Sequence, residues 1–115
     1  WQDPKPLPKQ INTGIWNAHP YIAPDESYLM WDGERESGYG DADLYISFRQ
    51  KDGSWGAAIN LGDKVNTAAE ERGPQVTPDG KYLFFNRMVP NANGKMAFNQ
   101  IYFGSMRKGH SNVLI

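Results

Sequence analysis

The sequence has no cysteine, which excludes disulfides and thiolate chemistry and leaves the redox compartment open. It has no apolar run near the ~20 residues of a membrane-spanning helix, so no membrane span is expected. No leader-peptide pattern is read in it either, and a start at Trp1 fits a mature form, a trimmed chain or a fragment. Neither sign of charge dominates: 12 Lys and Arg against 13 Asp and Glu leave a formal net charge of −1. With no basic stripe, nucleic acid is not an expected partner. A helical period is also missing. NTAAEERG, Asn66–Gly73, is the sole candidate for a helical turn. It has an Asn or Thr cap and a following Glu, but is too short to stand alone.

What is present is punctuation and aromatic side chains. Twelve Gly and eight Pro favour many short strands over long helices, and 13% aromatic residues are too many for a disordered chain. At 115 residues the chain is one domain's worth or less. TPDGKYLFF, Thr77 to Phe85, is a Pro-Asp-Gly turn followed by an apolar run with strand propensity. APDESYLMW, Ala23 to Trp31, has the same layout. Pro20 to Pro74, Pro24 to Pro78 and Leu29 to Leu83 are each 54 residues apart, and nine of the 31 positions Trp1–Trp31 are identical to Trp55–Phe85 without a gap. This is a duplicated unit, about 1–54 and 55–115. Past Trp31 the offset is 57, carrying Leu44-Tyr45 onto Ile101-Tyr102. The second copy therefore has three extra residues in the intervening loop.

Each unit reads as four strands. Strand a lies around Pro20–Ala23 and Pro74–Thr77, strand b at Tyr28–Trp31 and Tyr82–Phe85, and strand c at Leu44–Phe48 and Ile101–Ser105. Strand d is Gly56–Leu61 in the first unit and Val113-Leu114-Ile115 in the second, with KDGSW, Lys51–Trp55, as a c–d hairpin. Side chains alternate along a strand, so Tyr82 and Phe84 point one way and Leu83 and Phe85 the other. Both faces are apolar and both must be covered. Four-stranded antiparallel sheets stacked face to face around an axis achieve this, so the expected fold class is all-β, two β-propeller blades. Two blades are a partial propeller. It is completed by the remainder of a longer protein or by oligomerisation, three copies giving a six-bladed ring, with Trp1, Trp31 and Trp55 packed between blades. A two-sheet sandwich is the plainer alternative.

TPDGKYLFF, GDADLYISF, the W-x5-LG spacing and VNTAAEERGP together resemble the TolB-type, WD-repeat-like β-propeller repeat, over about Trp1 to Ser105. The first copy departs from that pattern in having Glu26 where Gly80 stands, which puts its turn geometry in question. The resemblance implies a non-enzymatic module that binds protein or glycan ligands, in a periplasmic or secreted setting. The alternative is the propeller part of a glycan-processing hydrolase, sialidase-like or another glycosidase.

The b–c segments, Asp32–Asp43 and Asn86–Gln100, read as long polar loops that share one end of the blades with the d–a loops. Candidate ligand-binding residues at that end are Trp16, Asn17, His19, Asp32, Glu71, Arg72 and Arg87, with Trp16 the one Trp placed for stacking on a ligand. Asn12-Thr13 and Asn66-Thr67 could bind ligand amides, and more often such residues cap turns. Asp32, Glu34, Asp41 and Asp43, with Glu36 nearby, could hold Ca²⁺, which takes several oxygen ligands. Their spacing is not that of an EF-hand, and a solvated acidic loop is the plainer reading. The same carboxylates could serve as a glycosidase acid/base pair, although nothing in the spacing fixes one. His19 and His110 form no cluster by spacing, and His19 before Pro20 is otherwise a structural or exposed imidazole.

Overall fold

The computed structural model describes residues 1–106. The strand-d expectation at Val113-Leu114-Ile115, and His110, lie outside the described residues. Those described are all-β, with no helix: β1 (Trp16–Ile22), β2 (Tyr28–Glu34), β3 (Asp43–Phe48), β4 (Ile59–Asn60), β5 (Glu71–Val76), β6 (Tyr82–Pro90) and β7 (Met96–Ser105). They form two antiparallel sheets, β1-β2-β3-β4 and β5-β6-β7. The register repeats with the sequence. Met30 pairs with Ile46 and Trp31 with Tyr45, while Phe84 pairs with Phe103 and Phe85 with Tyr102.

The turns explain how strand b starts. Gly80 has φ +74° and its N–H donates to Thr77 O, while Asp79 Oδ1 accepts from the Lys81 N–H and the Thr77 hydroxyl. The first copy makes the same turn without glycine. Glu26 sits at φ +62°, its N–H donates to Ala23 O, and Asp25 Oδ1 accepts from Ser27 N–H and Oγ. The departure from the Pro-Asp-Gly pattern therefore leaves the geometry intact and stores backbone strain at Glu26.

Each strand a carries a β-bulge at the same place. The pairing of β1 with β2 skips from Ala18 to Tyr21, and that of β5 with β6 from Arg72 to Gln75. Two residues then face one on the partner strand: His19-Pro20 in the first copy and Gly73-Pro74 in the second. His19 and Gly73 both have positive φ, +48° and +67°. Proline without its N–H is tolerated at such a bulge.

The main core lies between the sheets. Met30, Leu44 and Ile46 of the first sheet meet Val76, Leu83 and Phe85 of the second, with Leu61 and Val65 from the connection. The opposite face of the first sheet, Leu29, Trp31 and Tyr45, is covered by Ile11 with Trp55 and Ala58 at its margin. On the second sheet the face turned away from the core, the counterpart of Met30, Leu44 and Ile46, stays open among the described residues, with Tyr82, Phe84, Ile101 and Phe103 exposed.

Several sequence expectations are corrected here. Asn86–Gln100 is a hairpin: β6 runs to Pro90, β7 starts at Met96, and Asn91 Oδ1 accepts from the Asn93 and Lys95 N–H groups to close the turn. The Asn-Gly signal lay inside a segment whose polarity suggested a loop. The first b–c loop is shortened likewise to 35–42. Strand d is only Ile59–Asn60, because Gly56, Ala57 and Ala58 bring no β-branched side chain to hold a ladder. NTAAEERG forms no helical turn. Thr67 gives its N–H and its hydroxyl to the Glu71 carboxylate, and the Glu71 N–H goes to Ala42 O, which draws the segment into β5. The tryptophans expected between the blades are not there: Trp31 and Trp55 pack on the face of the first sheet turned away from the second, and Trp1 is fully exposed.

Candidate functional site

The two bulges meet. Asp32, on β2 and fully buried, accepts the Gly73 N–H at 2.7 Å from the second bulge, and His19 Nδ1 lies 2.9 Å from the same oxygen. One carboxylate thus ties His19 of β1 to Gly73 of β5 across the sheet boundary. Burial pushes the Asp32 carboxyl up from its ordinary value, against the lowering effect of the Gly73 N–H, His19 and Arg72. With Asp32 ionised, Nδ1 carries the proton and donates, and in the neutral ring Nε2 is left as an acceptor. The His19 side chain is 54% exposed, so that imidazole is fixed at one nitrogen and open to solvent.

Beside it stands a stack of planar groups. The Arg72 guanidinium lies over the Trp16 ring at 5.0 Å and over Phe98 at 4.9 Å. It forms an ion pair with Glu70 at 2.9 Å, off the hydrogen-bond direction. Trp16 Nε1 donates to Glu34 Oε1 at 2.9 Å. Arg72 and Trp16 are each half-buried, so edges of the stack remain accessible. Trp16, His19 and Arg72 are the sequence candidates that keep an accessible side chain with reactive or stacking surface here. Phe98 and Glu70 were not singled out from the sequence. Phe98 lay in a segment read as loop, and Glu70 aligns with Trp16 in the repeat, a mismatch that carries no chemical signal.

The remaining candidates have their polar groups taken up by internal partners, Asn17 doing so at the surface. Glu71 is buried, with its oxygens taken by Thr67 N–H, Thr67 Oγ1 and Arg87 Nε at 3.0, 2.6 and 3.0 Å. Arg87 also donates to Val65 O and covers the Tyr102 ring at 4.3 Å. Burial raises the Glu71 carboxyl, opposed by Thr67 and Arg87. Asn17 accepts from Trp31 Nε1 and donates to Thr13 O, so both ends of its amide are occupied. Asn66 is buried and pairs with both the N–H and the O of Leu44, standing in for a strand residue. Asn12 gives its amide to Leu7 O.

The acidic candidates for Ca²⁺ are dispersed. Asp32 serves the bulges, Glu34 serves Trp16, and Asp41 is exposed. Asp43 is buried, accepts from Tyr39 N–H and Asn60 Nδ2, and has its carboxyl raised by burial. Among the described residues no group of three or more His, Asp or Glu side chains is placed to hold a metal ion. A glycosidase pair needs two carboxylates free to face the scissile bond and a water. Of the loop carboxylates read for that pair, Asp32 and Asp43 are buried and accept from His19, Gly73, Tyr39 and Asn60 instead.

No family model, curated protein or solved structure matches the chain.

Proposed function

We propose that the chain is a non-enzymatic binding module of the β-propeller type, similar to the TolB-type repeat, whose two sheets are neighbouring blades. Its ligand, a protein or glycan, meets the surface formed by Trp16, His19 and Arg72. The observation that carries this reading is His19. A non-glycine residue at φ +48°, directly before a proline, costs of order 1 kcal/mol or more. The equivalent bulge in the second copy uses glycine and avoids that cost. Strain kept where it could be relieved, on a side chain that is oriented from beneath and open above, suggests a binding role. The adjoining Arg72 sandwich adds planar polar and aromatic edges, which suit a sugar ring or a peptide group.

The test is NMR titration of the chain with a panel of neutral and acidic oligosaccharides and of peptides, following the His19 ring protons and the Trp16 indole N–H. His19→Asn keeps a short polar side chain that tolerates positive φ and removes the imidazole. It is expected to weaken binding with strand content intact, as are Trp16→Ala and Arg72→Ala. Shifts confined to the opposite end, at the Asp25, Asp52 and Asp79 turns, would overturn the assignment.

A further inference from the structure

We propose that the open face of the second sheet receives a second copy of this chain, head to tail, through that copy's first sheet and N-terminal strand. This is independent of the ligand reading. It rests on the repeat being matched position by position in the packing. In the first sheet Met30, Leu44 and Ile46 are buried and Tyr28 packs at their margin. Their counterparts, at offsets of 54 and 57, are Phe84, Ile101, Phe103 and Tyr82. These are 39%, 73%, 67% and 41% exposed. Phe84 and Phe103 stack on this face at 5.8 Å with a 25° tilt. An apolar patch of four large side chains marks an interaction site.

The surface that covers Met30, Leu44 and Ile46 is Leu61, Val65, Leu83 and Phe85. Fifty-four residues earlier stand Leu7, Ile11, Leu29 and Trp31. They line a cavity of about 120 Å³ on the far side of the first sheet, with Ile11, Leu29 and Trp31 buried in its wall and Leu7 exposed at its edge. One chain thus carries both halves of an interface that it already makes once inside itself. Ile22, the counterpart of the core residue Val76, is 45% exposed at the same surface.

The edges match as well. β3 pairs with β2 on one side and β4 on the other, whereas its counterpart β7 pairs, among the described residues, with β6 alone. The counterpart of Ile59–Asn60 is Lys5-Pro6, which lies in an exposed segment outside any strand. Leu61 N–H donates to Leu44 O at 3.1 Å, which assigns Leu7 N–H to Ile101 O of the neighbouring copy. Pro4, Pro6 and Pro8 alternate with Lys5 and Leu7. N–H groups of alternate residues point to the same side of a strand, so this segment keeps its donors on one edge and has none on the other. Such a strand can only terminate a sheet. The two surfaces differ, so the contact is heterologous and propagates until a ring closes.

Light scattering of the intact chain at micromolar concentration is expected to give a mass of several chains. Leu7→Asp spoils one surface and Phe103→Asp the other, and both side chains are at least partly exposed, so each variant should remain folded by circular dichroism. Each alone should lose association by more than about tenfold, as a charge placed in a desolvated contact does. An equimolar mixture retains one intact pair of surfaces and should form a species of two chains. A single-chain mass for the unmodified protein overturns the proposal. So does a mixture of folded variants that remains monomeric.

Discussion

The two sheets are copies of one sequence unit, yet among the described residues only the first is covered on both faces. Met30 is buried and Phe84, its counterpart, is 39% exposed, although both sit opposite strand c in the same register. Each also buries a stacked aromatic pair on its other face, Trp31 with Tyr45 and Phe85 with Tyr102, both at 5.9 Å. Arginine covers each pair from a different position, Arg35 at 4.7 Å from Tyr45 and Arg87 at 4.3 Å from Tyr102. The contrast separates what belongs to a repeat unit, its strands and turns, from what belongs to its place in the stack, its burial.

The largest asymmetry concerns Glu71, counterpart of the exposed Asn17. Glu71→Ala leaves Arg87 without its carboxylate and is expected to cost about 3–5 kcal/mol. Asn17→Ala is expected to cost about 1 kcal/mol, the value of one hydrogen bond. Denaturant melts of the two variants decide this, and similar losses would mean that the second sheet is no more dependent on its buried pair than the first is on its surface amide.

Next in size, Met30→Ala should cost about 2–5 kcal/mol, and Phe84→Ala under about 1 kcal/mol. Both are best measured in the Leu7→Asp background, where copies are kept apart. The same Phe84→Ala change in the parent chain should cost more at high than at low protein concentration if the open face is covered by a neighbour.

The turns give a smaller and opposite pair. Gly80→Val forces a β-branched residue to φ +74° and should destabilise by about 1 kcal/mol or more. Glu26→Gly relieves the equivalent strain and should stabilise by a few tenths to about 1 kcal/mol. It also removes the exposed Arg49 ion pair, worth little at the surface. Equal melting temperatures for Gly80→Val and the parent would remove the turn from the argument.

The smallest effects are in proton binding. Asp32, Asp43 and Glu71 are raised by burial, so the folded chain holds their protons more tightly than the unfolded chain. Their contribution is greatest below the ordinary values of 3.8 and 4.5 and falls as pH rises through the folded values. Asp52 and Asp79 behave oppositely. Hydrogen bonds from Ser54, and from Thr77 and Lys81, lower them, so their contribution is present above 3.8 and is lost as pH falls through the folded values. Carboxyl NMR titration should separate the two groups. A raised Asp79 would contradict the hydrogen bonding described here, and a lowered Glu71 would contradict the dominance of burial over its bonds to Thr67 and Arg87.

The sequence by itself determined the local features. The duplicated unit, the presence of strands a, b and c, the positive φ at Gly80 and the alternation of strand b follow from turn chemistry and a period of two, although strand a starts at Trp16 and Glu71, ahead of the Pro20 and Pro74 read as its start. Even the change of offset from 54 to 57 is reproduced in the register of Phe84 with Phe103. Tertiary structure decided what a side chain meets. Trp16, His19 and Arg72 kept accessible surface, while Asn17, Asp32, Glu71 and Arg87 were drawn into bonds that close bulges, turns and the sheet boundary. No spacing shows that Asp32 lies against Gly73, 41 residues away. Nor could polarity tell a hairpin from a loop over Asn86–Gln100, where Gln100 pairs with Arg87 and yet stays exposed. Conformation is set by each residue and its near neighbours, whereas burial and hydrogen-bond partners are set by which sheet lies alongside.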